Sequence, residues 1–142
     1  MAAIKHMIQI AAKPDAVYPL VATAKGFEQW WAADVTTTPD VVELGFFNRT
    51  TVYRLKLEVD EPHTQAKWHC ETGKEWAGTD IVFQLEARGS NTLLRFTHSG
   101  WVSETDYFTS CNTTWGELVF RLKSAAEGRP RGPLFLASDL AY

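Results

Sequence analysis

Cysteine is scarce in this chain: 142 residues hold only Cys70 and Cys111, which stand far apart. Neither a disulfide scaffold nor a zinc cluster is suggested by two such thiols. Long hydrophobic runs are absent too, and no stretch approaches the roughly 18 apolar residues that a membrane helix needs. Met1 to Ile10 lack the basic start and apolar centre of a secretory signal, so the expected location is cytoplasmic, with both thiols free. Basic residues are scattered singly in a chain of formal net charge -3, which argues against nucleic acid as a partner. There is no Gly-rich phosphate loop, no Gly-x-Ser-x-Gly elbow and no His-Glu-x-x-His. His63 and His69 flank a turn without a carboxylate-rich helix beside them, so no metal site is expected, and nothing calls for a cofactor.

What the chain has in quantity is tryptophan. Trp30 and Trp31 are adjacent, and Trp68, Trp76, Trp101 and Trp115 follow, each within or beside an expected strand or helix. Aromatic side chains bury large apolar areas while keeping a polar edge near a partner. A single domain spanning 1–142, with a core over about 4–128 and a tail over 129–142, uses so many either to fill its core or to line a cavity.

The order of elements bears on that choice. Ile4, His6, Ile8 and Ile10 alternate with Lys5, Met7 and Gln9, as in a strand with one apolar face. Lys13-Pro14-Asp15 opens a helix in which Pro19 is expected to cause a kink or an early end. Gly26 breaks the run, and Phe27, Trp30 and Trp31 are spaced for a second short helix. Strand texture follows: weakly over 41–47, then over 51–59, 65–71, 78–87 and 92–99, with Gly89-Ser90-Asn91 as a hairpin signal. Gly100 is expected to end the sheet, and Ser103 with Asp106 resembles a capping box. A long helix over about 105–127 carries Phe108, Cys111, Trp115, Leu118, Val119 and Leu122 on one stripe, with Gly128 as its C-cap. The fold class is therefore α+β: a curved antiparallel sheet of about six strands, two short helices after the first strand, and a long C-terminal helix. One helix does not fully cover a curved sheet of that size, and the gap between them is a natural cavity. The tail residues Leu134, Phe135, Leu136, Leu140 and Tyr142 are apolar enough to dock on the body or on a second copy in a homodimer.

Several short segments resemble the START-like, or SRPBCC, superfamily with its helix-grip fold. They are similar in particular to the branch named for the activator of the heat-shock protein 90 ATPase. The matching pieces are Ile8-Gln9-Ile10-Ala11-Ala12-Lys13-Pro14, Val17-Tyr18, Trp30-Trp31, Glu75-Trp76-Ala77-Gly78-Thr79, Thr97-His98-Ser99-Gly100-Trp101, and Cys111-Asn112 leading to Trp115-Gly116. The resemblance covers roughly 4–128. It implies a hydrophobic or amphipathic small molecule held between the long helix and the sheet, in a superfamily of lipid carriers, hormone binders and aromatic polyketide cyclases.

Candidate ligand-binding residues come from strand parity and from the helix stripe. Trp68, Cys70, Phe83, Leu94, Phe96 and His98 share the expected concave face, while Phe108, Cys111 and Trp115 approach from the helix. Trp31, Trp76 and Trp101 are added from the matched segments. The same residues would be buried if they merely filled a core. His98 is the most suggestive polar group, as an acid-base residue or as a structural histidine bonded to its neighbours, with His6 on the same inward parity. Gly116 could leave room against the sheet or allow close packing. Three functions follow in order: binding of a small hydrophobic or aromatic ligand without catalysis; a cyclase or dehydratase on an aromatic or polyketide-like substrate, with His98 as acid-base group; and stimulation of a heat-shock chaperone ATPase.

Overall fold

A computed structural model of the chain describes residues 1–136. Its element order is β1 (Ala2–Ile10), α1 (Pro14–Ala22), α2 (Ala24–Glu28), β2 (Asp34–Thr38), β3 (Val41–Phe46), β4 (Thr51–Glu61), β5 (Gln65–Cys70), β6 (Asp80–Arg88), β7 (Asn91–Trp101) and α3 (Asp106–Ala126). The seven strands form one antiparallel sheet ordered β1-β7-β6-β5-β4-β3-β2. The chain from β2 onward is thus a meander, and β1 closes it by pairing with β7. The sheet has one strand more than the six expected. The addition, β2, reads Asp-Val-Thr-Thr-Thr and has no apolar alternation. It is an edge strand held through its ladder to β3, with Asp34 opposite Gly45 and Thr38 opposite Val41.

The expected parity holds where strands cross the core. Ile4 and Ile10 of β1, Leu55 of β4, Trp68 and Cys70 of β5, Ile81 and Phe83 of β6, and Leu94, Phe96 and His98 of β7 are all buried. At about 25 cal/mol per Å² of apolar surface, this one-sided burial is the main term favouring the fold. The buried apolar residues, Leu93 excepted, form one cluster between the sheet and the helices.

The helices depart from expectation in three details. Gly26 lies inside α2 rather than breaking a helix, because a methyl there would sit 2.2 Å from the Pro19 carbonyl oxygen; glycine lets α2 fold back onto α1. The second helix ends at Glu28, so Trp30 and Trp31 lie in the turn beyond it. That turn keeps Trp31 in place through its backbone N–H, which donates to the Phe27 carbonyl at 2.8 Å. The third concerns α3, whose N-cap is Thr105 and not Ser103. The Thr105 hydroxyl accepts from the Phe108 N–H at 3.2 Å and donates to Glu75 Oε1 at 2.6 Å, tying the 73–78 loop to the start of the helix. Ser103 sits too early, since the chain between Gly100 and Thr105 is still leaving the sheet.

Gly100 also lies within β7 instead of after it. Its φ is +89°, and the register slips there, with Ile4 opposite His98 but Ala2 opposite Trp101. This is a bulge of the kind glycine favours, and it turns Trp101 into the core. The tail docks on the body: the Leu134 and Phe135 N–H groups donate to the carbonyls of Trp30 and Trp31, and the Ala33 N–H donates to the Phe135 carbonyl. Leu140 and Tyr142 lie outside the described residues. No helix among the described residues is long and apolar enough to cross a membrane.

Candidate functional site

On the β3–β4 side of the sheet, the N-terminal half of α3 stands off from the strands, which reach it there through the Tyr53–Tyr107 pair. The gap is a cavity of about 100 Å³. Trp31, Trp76 and Trp115 form its floor, Phe46 and Tyr53 its sheet side, and Phe135 of the tail closes one end. From α3 come Tyr107, Ser110, Cys111, Thr114 and Leu118, at the three- and four-residue spacing of one helical face. Phe47 and Thr51 complete the lining at the β3–β4 turn.

Stacked rings build the walls. Tyr53 lies on Trp76 with centroids 3.9 Å apart and planes 5° off parallel, and Trp76 lies 6.1 Å from Trp115 at 17°. Trp31 meets Trp115 at 4.9 Å, and Phe46 meets Phe135 edge-on at 5.1 Å. The Tyr53 and Tyr107 hydroxyls are hydrogen-bonded to each other. Burial, and then the nearby Tyr107, hold the Tyr53 phenol protonated far above its ordinary range. This pair is also the common wall with an outer, more polar hollow of about 620 Å³ that Lys74 and Glu75 border. Burial pushes the Cys111 thiol up, with contacts to Trp76 and Tyr107 opposing the shift, so it stands in the cavity as a neutral thiol.

Four of the eleven ligand-binding candidates, Trp31, Trp76, Cys111 and Trp115, line this cavity. The other seven are packed beside it and have structural partners. The Trp68 indole N–H donates to the Val21 carbonyl, as that of Trp30 does to the Leu20 carbonyl, both at 2.8 Å; together they satisfy the end of α1. Cys70 donates to the Thr72 carbonyl at 3.0 Å, and burial pushes its thiol up to about 12. Phe83 and Phe96 pack together at 5.4 Å, and Trp101 meets Phe108 edge-on at 5.2 Å.

His98 sits in a chain of four groups. The Trp115 indole N–H donates to Nδ1 at 3.2 Å, which leaves the proton on Nε2. Nε2–H then donates to the Thr79 hydroxyl at 2.9 Å, and that hydroxyl donates to the Trp76 carbonyl at 2.6 Å. Every partner is satisfied, and His98 has no exposed surface. Burial pushes its imidazole down to about 3, so the ring stays neutral and fixes the orientation of Trp115. His6 turns inward as its parity indicated, and its ring lies 3.8 Å from where a Gly116 methyl would project; the glycine faces a side chain of the sheet rather than empty space.

Sequence reading did not single out Phe46, Tyr53, Tyr107, Ser110 or Phe135 as site residues. Tyr53 shares the inward parity of Leu55, so a signal existed for it; Tyr107 and Ser110 each sit one residue before a stripe member, Phe108 and Cys111, and are exposed, so the stripe does not mark them. Nothing local marks Phe135, which reaches the cavity only because the tail folds back.

On the outer face, Glu58, His69 and Asp80 bring three ligand-type atoms within 4.8 Å of one another. His69 is bonded to Asp80 at 2.8 Å, and the Lys67 ammonium lies 3.9 Å from each carboxylate, supplying the positive charge there.

A curved antiparallel sheet gripping a long C-terminal helix, with a cavity between them, defines the helix-grip fold of START-like proteins. The chain is 32% identical to the Aha1 protein of Colwellia psychrerythraea, solved in solution as a dimer, over 89% of this chain and 97% of that one, with a TM-score of 0.80. It belongs to the Aha1-like family of START-like domains. The same fold recurs in CalU16 from Micromonospora echinospora, at 15% identity over 99% of this chain and 73% of that one (TM-score 0.76). It recurs again in DynU16, from the dynemicin biosynthetic locus, at 17% identity over 92% and 49% (TM-score 0.70). No protein-family model and no curated protein matches the chain.

Proposed function

We propose that the protein binds a small hydrophobic or aromatic molecule in the cavity under α3, without transforming it. The observation that carries this reading is the cavity wall itself. It is built from rings, aliphatic carbons, hydroxyls and one neutral thiol, and among the described residues no Asp, Glu, His, Lys or Arg lines it. Such walls suit retention of an apolar ligand, with a few hydroxyls to orient it. The cyclase or dehydratase reading needs an acid-base group at the ligand, and His98, its candidate, is enclosed behind Trp76 and Trp115 with both nitrogens engaged. A thermal-shift screen of apolar and aromatic compounds tests the binding reading. A ligand at a hundred times its dissociation constant stabilises by about 2.7 kcal/mol, several degrees for a domain of this size. A silent screen, with an ATPase rate raised in a purified chaperone, would favour the co-chaperone reading instead.

The Colwellia relative was solved as a dimer, and we propose a homodimer here as well. The exposed Phe120 on the outer face of α3 supports an interface, being large, apolar and 56% exposed. Light scattering on a size-exclusion column should give twice the monomer mass, and Phe120→Glu should return it to the monomer.

A further inference from the structure

We propose that the occupant of the cavity is a neutral molecule with one aromatic ring and one small polar substituent, the ring on the tryptophan floor and the substituent at the mouth. The inference rests on the ligand-binding reading above and narrows it to a chemical class. Size comes first. The space is about 100 Å³, whereas an engineered cavity of about 150 Å³ in another protein holds benzene and drug-sized ligands take roughly 300–1,000 Å³. The space has about two-thirds of the volume that encloses benzene, but it opens at its mouth. The proposed guest is therefore a single ring seated in the depth with its substituent outside; a fused pair, a sterol or an acyl chain is too large for that seat. The reason is that Phe83, Phe96, Trp68, Trp101 and His98 occupy the rest of the gap between sheet and helices.

Charge comes second. With no ionic side chain among the described residues of the wall, a buried carboxylate or ammonium would lose its hydration without a counter-charge. Shape and polarity come third. The Tyr53, Trp76 and Trp115 rings are nearly parallel and stacked on one another, so the wall they offer a guest is aromatic and held in a fixed orientation. Trp31 and Trp115 are each 1% exposed, while Ser110 is exposed and Thr51 half-buried, so hydroxyls stand at the rim and the depth is mostly rings, with the buried Trp76 indole N–H beside Cys111 as its polar group. A phenol-like molecule satisfies both ends.

The test uses five probes on the full chain: p-cresol, toluene, benzoate, 1-naphthol and laurate, followed by thermal shift and indole fluorescence. We expect p-cresol to bind about fivefold tighter than toluene, the scale of one net hydrogen bond. Benzoate, 1-naphthol and laurate should each bind at least about tenfold more weakly than p-cresol, the penalty of an unpaired charge or a misfit. Ser110→Phe, a change at an exposed helix position, should plug the mouth and abolish p-cresol binding. Leu118→Ala should enlarge the cavity and admit 1-naphthol; should that variant fail to fold, the wild-type series and Ser110→Phe decide alone. Naphthol or laurate matching p-cresol overturns the size claim, benzoate matching it overturns neutrality, and toluene matching it overturns the polar substituent; in each case the binding reading stands. Binding of p-cresol that Ser110→Phe leaves unchanged overturns the assignment to this cavity. Silence from all five probes overturns the proposal, and the wider thermal-shift screen then decides the binding reading separately.

Discussion

The space between sheet and helices has two ends, made from the same kinds of residue but closed in different ways. At the β1, β7 and β6 end, Phe83, Phe96, His98 and Trp115 interlock, and their buried polar atoms are satisfied through one chain from indole to imidazole to hydroxyl to carbonyl. At the β3 and β4 end, Phe46 faces α3 across a gap that the Tyr53–Tyr107 pair bridges on one side, and the tail supplies Phe135 as the missing side. The first end shows what a core looks like when helix and sheet touch. The second shows that aromatic content alone does not fill space: a ring closes a gap only where a second element carries it to the right distance. Trp115 belongs to both ends, bonded to His98 on one side and lining the cavity on the other.

Trp115→Ala should therefore have the largest effect, about 3–5 kcal/mol of stability in a denaturant melt, since it removes a buried ring and leaves Nδ1 of His98 unpaired. It should abolish ligand binding as well. His98→Ala comes next, at about 2–4 kcal/mol from lost volume and the unpaired Trp115 indole N–H, while the Thr79 hydroxyl keeps its bond to the Trp76 carbonyl.

The same histidine gives the filled end a pH signature. The unfolded chain takes up a proton at this ring below about 6.5, whereas the fold keeps it neutral down to about 3. The unfolded state therefore binds more protons inside that window. Stability is fully present above pH 6.5 and is lost as pH falls toward 3, with a slope from this residue of at most about 1.4 kcal/mol per pH unit. Melts across that range on the wild type and on His98→Gln should differ by this slope; parallel curves would mean that the ring is protonated in the fold.

At the open end, Phe135→Ala should cost less, about 1–2 kcal/mol, because the residue sits at a mouth where neighbours and water can enter the space left behind. Its effect on ligand affinity should exceed its effect on stability, the reverse of His98→Ala. Thr105→Ala should cost about 1 kcal/mol through the lost cap, and it should loosen the Glu75–Trp76 loop against α3. Ser110→Ala, on exposed helix surface, should lie within about 0.5 kcal/mol of wild type while still weakening a phenolic ligand. If Phe135→Ala proved as costly as Trp115→Ala, the two ends would be equally packed and the comparison would fail.

Much of this fold could be read from local patterns. Period-two alternation marked β1, β4, β5, β6 and β7, and the apolar stripe marked α3, because burial on one face of a regular element imposes that element's own period. The pattern failed at β2, whose residues are half-buried or exposed and whose existence depends on pairing with β3. It failed again at Gly26 and Gly100, where the need for glycine comes from a contact across the chain and from a register slip.

Sequence by itself determined which faces of the regular strands and of α3 leave water. Trp68, Phe83, Phe96, His98, Phe108, Cys111 and Trp115 were all identified as inward-facing, and all are buried. Only the tertiary structure decided which of them fill space and which border it. Burial is a property of one residue's face, fixed by period and polarity along the chain. A cavity is a mismatch in distance between elements far apart in sequence, here α3, the β3–β4 hairpin and a returning tail, and no local pattern records that distance.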